Sequence, residues 1–314
     1  MTERVFLTGA RGLVGRAVAR QLRDAGDRVV GIDRQGGDVD GWEVIECDVT
    51  NAHRLHELAL LHGFTAIVHC AAYSGPMVGS DNPGAVIETN LGGTANLLEV
   101  ARIHDIPRVV FCSSVSAVGP TSAPITEDVP LRPTSVYAAT KAASEALIHA
   151  YRERYDLQAV SLRLSAVWGP ERTTVCALGQ MITDAVAGRE TVFAQGADAP
   201  TQYLHVTDAA RAVQAALTAE RLPKPVYHVN GGEYLTMAEV ADLVRAEIPT
   251  DRITIGPGPD PMYDWQEPFL IDAARADLGF EPRVSLAAGI REFADRLRAA
   301  TAAPAEPTPK VPVP

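Results

Sequence analysis

The chain has 314 residues, of which 46% are hydrophobic and 21% are charged. This composition is typical of a globular enzyme built as one large domain or two closely packed ones. The formal net charge of -11 argues against nucleic-acid binding, which needs basic surfaces. No apolar run approaches the roughly 20 residues of a membrane-spanning helix, so we expect no membrane association.

The alternation of short β-branched runs with amphipathic stretches predicts the fold class of the first half. Helical periodicity separates the runs, which is typical of parallel β-α-β units and predicts an α/β fold with a Rossmann-type doubly wound parallel sheet. The predicted strands are 4–8, 28–33, 43–47, 66–70, 108–112 and 158–164, and the predicted helices are 12–25, 52–62, 86–104 and 136–155.

The second half is less regular and contains loops rich in glycine and proline at 196–200 and 256–268. We therefore predict a nucleotide-binding domain over 1–168 and a smaller substrate-binding domain, mainly 169–300. Residues 202–230 are expected to rejoin the sheet. The last segment, 301–314, is rich in Ala and Pro and is predicted to be a disordered tail.

A glycine-rich turn between the first strand and the first helix predicts a dinucleotide site. Gly9, Gly12 and Gly15 allow a tight turn and close approach of the backbone to a pyrophosphate. Asp33 ends the second strand, where a carboxylate binds the adenosine ribose hydroxyls and repels a 2′-phosphate. We therefore favour NAD over NADP, although Arg34 keeps NADP open as an alternative.

Tyr137 and Lys141 lie four residues apart, which places both side chains on one face of a helix over 136–155. An ammonium beside a phenol favours the phenolate form, and such a tyrosine can exchange a proton with an alcohol. Taken alone, the pair could also be an ordinary contact on a helix surface.

Four further motifs accompany these residues: Cys-Asp-Val at 47–49, His-Cys-Ala-Ala at 69–72, Asn-Leu-Gly-Gly-Thr-Ala-Asn-Leu-Leu-Glu from Asn90, and Cys-Ser-Ser at 112–114. Together the motifs resemble the extended short-chain dehydrogenase/reductase family, specifically its NAD-dependent epimerase/dehydratase branch. The resemblance runs from Thr8 to about Arg298 and is densest in the first 170 residues.

The resemblance implies roles for individual residues. Ser114 would bind the reacting oxygen, in preference to Ser113, while Tyr137 would exchange its proton and Lys141 would hold the nicotinamide ribose. The candidate substrate residues are Ser74, Met77, Ser114, Ser116, Arg172 and Thr174. The candidate cofactor residues are Gly9, Arg11, Gly12, Leu13, Val14, Gly15, Asp33, Arg34, Asp48, Val49, Cys70, Ala71, Ala72, Asn90, Tyr137 and Lys141.

Departures from the family pattern bear on the substrate. Val115 and Ser116 occupy the positions of the Asp-Glu pair of the dehydratases, so a 4,6-dehydratase is not expected. Ala166 and Thr201 replace residues that grip a nucleotide-sugar diphosphate. The segment 260–268 has no Arg or Lys but contains Asp260, Asp264 and Glu267. A diphosphate needs cations or N–H donors to replace its water.

These departures favour an NAD-dependent dehydrogenase acting on a small polyhydroxylated substrate, such as a free sugar or sugar acid. The alternatives are a nucleotide-sugar 4-epimerase resembling UDP-glucose 4-epimerase, and a non-catalytic NAD-binding regulatory protein.

Tyr203 and His205 are expected to pack under the sheet rather than to contact substrate. His53 and His56 have no third ligand nearby, so no metal site is expected.

The resemblance also implies a homodimer in which 86–104 and 136–155 of each subunit form a four-helix bundle. Ala138, Ala139, Ala142 and Ala143 offer the small surface that such packing uses.

The four cysteines form no Cys-x-x-Cys pair and are predicted to be buried free thiols of a reducing cytoplasm. The N-terminus leads directly into a strand, so we expect no signal peptide.

Overall fold

A computed structural model describes residues 3–302. The β-branched runs of the first half form extended strands, as expected for residues that pack well on a pleated surface. The strands are β1 Arg4–Thr8, β2 Arg28–Asp33, β3 Gly37–Val39, β4 Trp42–Glu46, β5 Ala66–His69, β6 Arg108–Ser114, β7 Gln158–Leu164, β8 Ala166–Trp168, β9 Thr191–Phe193, β10 Pro200–Thr201, β11 Tyr203–His205, β12 Val226–Val229, β13 Leu235–Thr236 and β14 Ile253–Ile255.

Eight of these strands form the main sheet in the order β12-β7-β6-β5-β1-β2-β4-β3, parallel except where β3 pairs with β4. The chain leaves β1 towards β2 on one side and later returns to β5 on the other side. Loops at the carboxyl ends of β1 and β5 therefore diverge and leave a crevice. In doubly wound folds, ligands bind at this switch point.

In the described part of the chain, ten helices cover the sheet and build a second lobe. One face of the sheet packs against α1, α7 and α9, and the other packs against α2, α4 and α5. Helices α6, α8 and α10 enclose a separate core with Trp168. The helices are α1 Leu13–Asp24, α2 Ala52–His62, α3 Pro83–Ile87, α4 Gly93–Ile103, α5 Val136–Tyr155, α6 Ala177–Val186, α7 Val206–Thr218, α8 Met237–Glu247, α9 Asp272–Leu278 and α10 Leu286–Ala302.

The predicted helix 86–104 is interrupted in the structure. A π-helical turn, Glu88–Gly92, separates α3 from α4. The carbonyl of Asn90 accepts hydrogen bonds from the hydroxyls of Thr94, at 2.6 Å, and Ser144, at 3.4 Å. These side-chain hydrogen bonds accompany the π-helical turn, and π-turns of this kind often occur at functional sites.

Strand β3 and helix α10 also differ from the sequence-based expectations. Strand β3 was not predicted, because it is three residues long and contains Gly37 and Asp38 rather than a β-branched run. Helix α10 continues through Ala302, two residues into the predicted disordered tail, and the rest of that tail lies outside the described residues. The predicted domain boundaries stay predictions, although β12 does pair with β7 in the main sheet.

The faces of α4 and α5 bear on the predicted homodimer. Ala138 is only 1% exposed and packs inside the subunit, so it is not available to a partner because α5 turns this residue inward. Ala139 is exposed, and Ala142 and Ala143 are half-buried. Within residues 3–302, no helix combines the length and the apolar character needed to cross a bilayer.

Candidate active site

The glycine turn at the end of β1 is packed too tightly for side chains. Gly9 has a φ of +69°, and a Cβ there would lie 2.6 Å from the backbone nitrogen of Ala71. A Cβ on Gly15 would lie 2.0 Å from the carbonyl oxygen of Gly9. Gly12 caps α1 without a side-chain hydrogen bond, so the N–H groups of the first helical turn remain available to an anion. This cradle fits the pyrophosphate of a dinucleotide.

Asp33 and Asp48 line the same cavity at the ends of neighbouring strands. One oxygen of Asp33 accepts the backbone N–H of Arg11 at 3.0 Å. Arg34 stacks 5.3 Å from the centre of the Tyr73 ring and donates to its hydroxyl at 3.3 Å. The carboxylate of Asp33 is thus fixed at the position expected for ribose recognition, while the guanidinium of Arg34 is held by Tyr73.

Ser114, Tyr137 and Lys141 all line a cavity of about 1050 Å³ that contains the glycine turn. Ser135 caps α5 by accepting the N–H of Ala138, which fixes the start of the helix that carries Tyr137. The Lys141 ammonium donates to the carbonyl oxygen of Cys112 at 2.6 Å and lies 5.9 Å from the centre of the Tyr137 ring. Both side chains are at least nine-tenths buried.

The neighbouring Ser113 also borders the cavity, but its hydroxyl is bound by another residue. Ser113 donates to the Glu145 carboxylate at 2.5 Å, and Glu145 forms a buried ion pair with Arg163 at 2.8 Å. The Oγ of Ser114 instead accepts the N–H of Ser116 at 3.2 Å, at the edge of the cavity. Because the two serines alternate across the strand, the geometry favours Ser114 as the residue that faces a substrate.

Of the sixteen candidate cofactor residues, Asn90 is the exception that does not line the cavity. Its side chain is 2% exposed and binds the backbone N–H and carbonyl of Tyr73 together with the Thr140 hydroxyl. The π-helical turn directs this amide into the protein. Asn90 therefore positions the loop after β5, and its direct contact with the cofactor stays a prediction.

The six candidate substrate residues all line the cavity. The loop that contains Ser74 and Met77 approaches the segment 257–268, and the Tyr263 hydroxyl lies 3.9 Å from the Met77 sulfur. Tyr203 was expected to pack under the sheet, but it lines the cavity because its short strand, β11, pairs with β8 at the cavity edge. His205, by contrast, is buried against Trp168. Sequence reasoning missed further lining residues: Tyr73, Phe193, Tyr234, Tyr263, Trp265 and Gln266.

Charge is distributed unevenly along the cavity. Within residues 3–302, its basic lining side chains are Arg11, Arg34, Lys141 and Arg172, and the first three lie in the cofactor half. Arg172 donates to the carbonyl oxygens of Thr174 and Val167, which fixes its guanidinium. Asp260 and Asp264 line the substrate half, whereas Glu267, expected beside them, does not line the cavity and accepts the indole N–H of Trp265.

A sequence model described as "NAD dependent epimerase/dehydratase family" matches residues 5–230. The chain belongs to this family. It is 29% identical to UDP-glucuronate 4-epimerase 4 of Arabidopsis thaliana over 323 residues, covering 92% of this chain and 74% of that protein. It is 28% identical to dTDP-glucose 4,6-dehydratase of Streptomyces niveus, and the match covers 94% of this chain and 93% of that protein. The structure of UDP-glucose 4-epimerase from Thermus thermophilus in complex with NAD matches with a TM-score of 0.85 at 26% identity. The match covers 95% of this chain and 99% of that chain.

Membership in the NAD-dependent epimerase/dehydratase family confirms the resemblance, the Rossmann-type fold and NAD as the cofactor. The preference for a dehydrogenase is not confirmed, since the relatives named above are nucleotide-sugar epimerases and a dehydratase. They favour the alternative reaction, 4-epimerisation.

Proposed function

We propose that the protein is a nucleotide-sugar 4-epimerase that oxidises and then re-reduces one secondary carbon. The observation that carries this proposal is the gathering of Ser114, Tyr137 and Lys141 on a cavity that also contains the glycine turn. Relatives named as UDP-glucuronate 4-epimerases support the overall reaction.

The chain supplies proton transfer and orientation for this reaction. NAD, held by the glycine turn and Asp33, would supply the hydride acceptor and then the hydride donor for the carbinol carbon. As a phenolate, Tyr137 takes the alcohol proton during oxidation, and the resulting phenol returns that proton during reduction, while Ser114 donates a hydrogen bond to the reacting oxygen. Lys141, anchored by the carbonyl of Cys112, supplies a positive charge on the same face of α5.

The extent of the cavity also supports a nucleotide-linked substrate. Beyond the catalytic residues, the lining continues past Phe193, Tyr234 and Met237 to the loop that carries Tyr263 and Trp265. Apolar and aromatic surfaces of this kind suit a flat base, with polar groups fixing its orientation.

A direct test follows product formation and the cofactor separately. Purified protein is incubated with UDP-glucuronate or UDP-glucose, the epimer is measured by NMR, and the absorbance of reduced nicotinamide is monitored. Epimer formation without net cofactor reduction is the expected result. Steady accumulation of reduced cofactor with a free sugar acid, and no epimer from either nucleotide sugar, would reject the proposal.

A second candidate is net dehydrogenation of a free sugar acid, and one observation favours it. In the substrate half, the described residues line the cavity with the fixed guanidinium of Arg172 and with the carboxylates of Asp260 and Asp264. That arrangement suits one carboxylate better than a diphosphate, which carries more negative charge. A panel of uronates and aldonates, assayed for cofactor reduction, distinguishes the two candidates.

Assembly and location stay predictions. Ile87, Ile103, Val136 and Tyr155 on α3, α4 and α5 are each more than 40% exposed, and this apolar surface supports a homodimer through these helices. Light scattering after size-exclusion chromatography should give twice the subunit mass of 33.5 kDa. A monomer at micromolar concentration would reject the dimer. A cytoplasmic location rests on the sequence-based expectation of free thiols.

A further inference from the structure

Two cysteines meet in the floor of the cofactor cavity. Strands β5 and β6 pair in a register that sets His69 beside Phe111, so the next residues, Cys70 and Cys112, are neighbours. Their sulfur atoms lie 3.4 Å apart, and both side chains line the cavity. Neighbouring strands bring Cα atoms within the separation that a disulfide can span.

The chemistry around this pair differs from that around the other cysteines. The hydrogen bond between the two sulfur atoms and the nearby Lys141 ammonium lower the pKa of Cys112 against the effect of burial. Cys47, by contrast, donates weakly to the carbonyl of Asp48, and burial raises its pKa to about 11. Cys176 caps α6 by accepting the N–H of Gly179. Of the neighbouring pair, Cys112 is therefore the sulfur whose surroundings favour the thiolate, whereas the pKa of Cys70 is raised by its hydrogen bond to Cys112 and by burial.

We propose that Cys70 and Cys112 form a reversible redox site. Their disulfide weakens NAD binding, and bound NAD in turn disfavours formation of the disulfide. A peroxide is the oxidant. The Cys112 thiolate attacks one peroxide oxygen, forming a sulfenic acid while the other oxygen leaves as hydroxide and takes up the proton that the thiol lost. The Cys70 sulfur then displaces the sulfenic oxygen, which leaves with the Cys70 proton as a second water. Two thiols and one hydrogen peroxide thus give one disulfide and two waters.

The coupling to NAD follows from the contacts that the backbones of Cys70 and Cys112 make beside the cofactor cavity. It rests on the proposed placement of the cofactor. The carbonyl of Cys112 anchors Lys141, and Cys70 precedes Ala71, which packs against Gly9. Closing the sulfur separation to the bond length of about 2.0 Å draws these two strand ends together. Because linkage is reciprocal, a disulfide that weakens NAD binding about tenfold also forms about tenfold less readily when NAD is bound.

Peptide mapping identifies the bond without reference to catalysis. Trypsin places each cysteine on its own peptide: 35–54, 55–102, 109–141 and 173–189 carry Cys47, Cys70, Cys112 and Cys176. Peroxide treatment of NAD-free protein should link peptides 55–102 and 109–141 with the loss of two hydrogen atoms, and dithiothreitol should reverse it. Oxygen adducts on separate peptides without a link would overturn the proposal.

Variants test the coupling. Calorimetric titration should give an NAD affinity about tenfold weaker after peroxide in the original protein, and unchanged by peroxide in Cys70→Ser and Cys112→Ser. Cys176→Ser, which keeps a capping oxygen on α6, is the matched control and should retain both the link and the effect. Equal NAD affinity of linked and reduced protein would overturn the coupling. Failure to convert any sugar counts against the proposed function alone, because neither mass nor binding measurements depend on turnover.

Discussion

The two halves of the cavity are built in different ways. In the cofactor half, the glycine turn and Asp33 lie at the ends of parallel strands, Lys141 reaches strand β6 from helix α5, and backbone contacts fix each of them. In the substrate half, short two-stranded pairs and the loop 257–268 supply the lining. Gln266 connects this loop to the segment that follows β6, because it donates hydrogen bonds to the carbonyls of Val115 and Gly119. The cofactor half is therefore constrained by the fold itself, whereas the substrate half depends on individual loop residues.

Tyr137 lies where the two halves meet, and its loss should have the largest effect. Tyr137→Phe removes the proton-transfer hydroxyl and should lower kcat about a thousandfold, within the range for a general acid–base group. NAD affinity should change less than about twofold, because the ring remains. Tyr151→Phe is the matched control, since Tyr151 lies on the same helix but donates to Glu99 outside the cavity. Turnover of Tyr137→Phe near the original rate would contradict the catalytic assignment.

The rigidity of the cofactor half can be tested at Gly15. Gly15→Ala places a methyl group 2.0 Å from the Gly9 carbonyl oxygen, so α1 must move away from the turn. We expect about 2 kcal/mol lower stability, typical of overpacking, and about thirtyfold weaker NAD binding. Thermal unfolding and calorimetric titration measure the two effects. Gly92→Ala is the control, because its added methyl meets no atom within 4 Å, and unchanged NAD binding by Gly15→Ala would contradict the tight-turn argument.

Acid should weaken both halves together through buried histidines. Burial lowers the pKa of His69, under the cofactor half, and of His228, beside Phe269 in the substrate half, to about 3 from an ordinary 6.5. Between about pH 3 and about pH 6.5 the unfolded chain binds more protons than the folded protein. The contribution of these histidines to the free energy of unfolding is therefore complete above about pH 7 and decreases as the pH falls below about 6.5. Each histidine contributes up to about 1.4 kcal/mol per pH unit.

Denaturant unfolding at about pH 7.5, about 6.5 and about 5.5 measures this slope. His228→Gln should flatten it, because the replacement cannot take up a proton at any of these pH values. His149→Gln, at an exposed position on α5, should leave it unchanged. An unaltered slope in His228→Gln would show that this histidine is not neutral in the folded protein.

How far the sequence could predict this site depends on the same contrast. Gly9, Gly15 and Asp33 have fixed positions relative to strands and helices, so spacing alone located them, and β1 and β2 have the predicted bounds. The inward placement of the Asn90 amide follows from a π-helical turn, which no residue pattern predicts. Tyr263 and Gln266 reach the cavity through loop geometry and contacts with distant segments, which local sequence does not encode.

Arg172 tests the substrate half with the smallest expected effect. Arg172→Gln removes a fixed guanidinium and should raise the KM for an acidic substrate about tenfold, since a hydrogen bond to a charged group contributes about 1.5 kcal/mol, with kcat little changed. Arg172→Lys should recover part of this because it restores the charge without the planar fork. Arg54→Gln, which removes an exposed partner of Glu57, is the control. If Arg172→Gln leaves the KM for UDP-glucuronate and UDP-glucose equally unaffected, the proposed role of Arg172 in binding the anion is wrong.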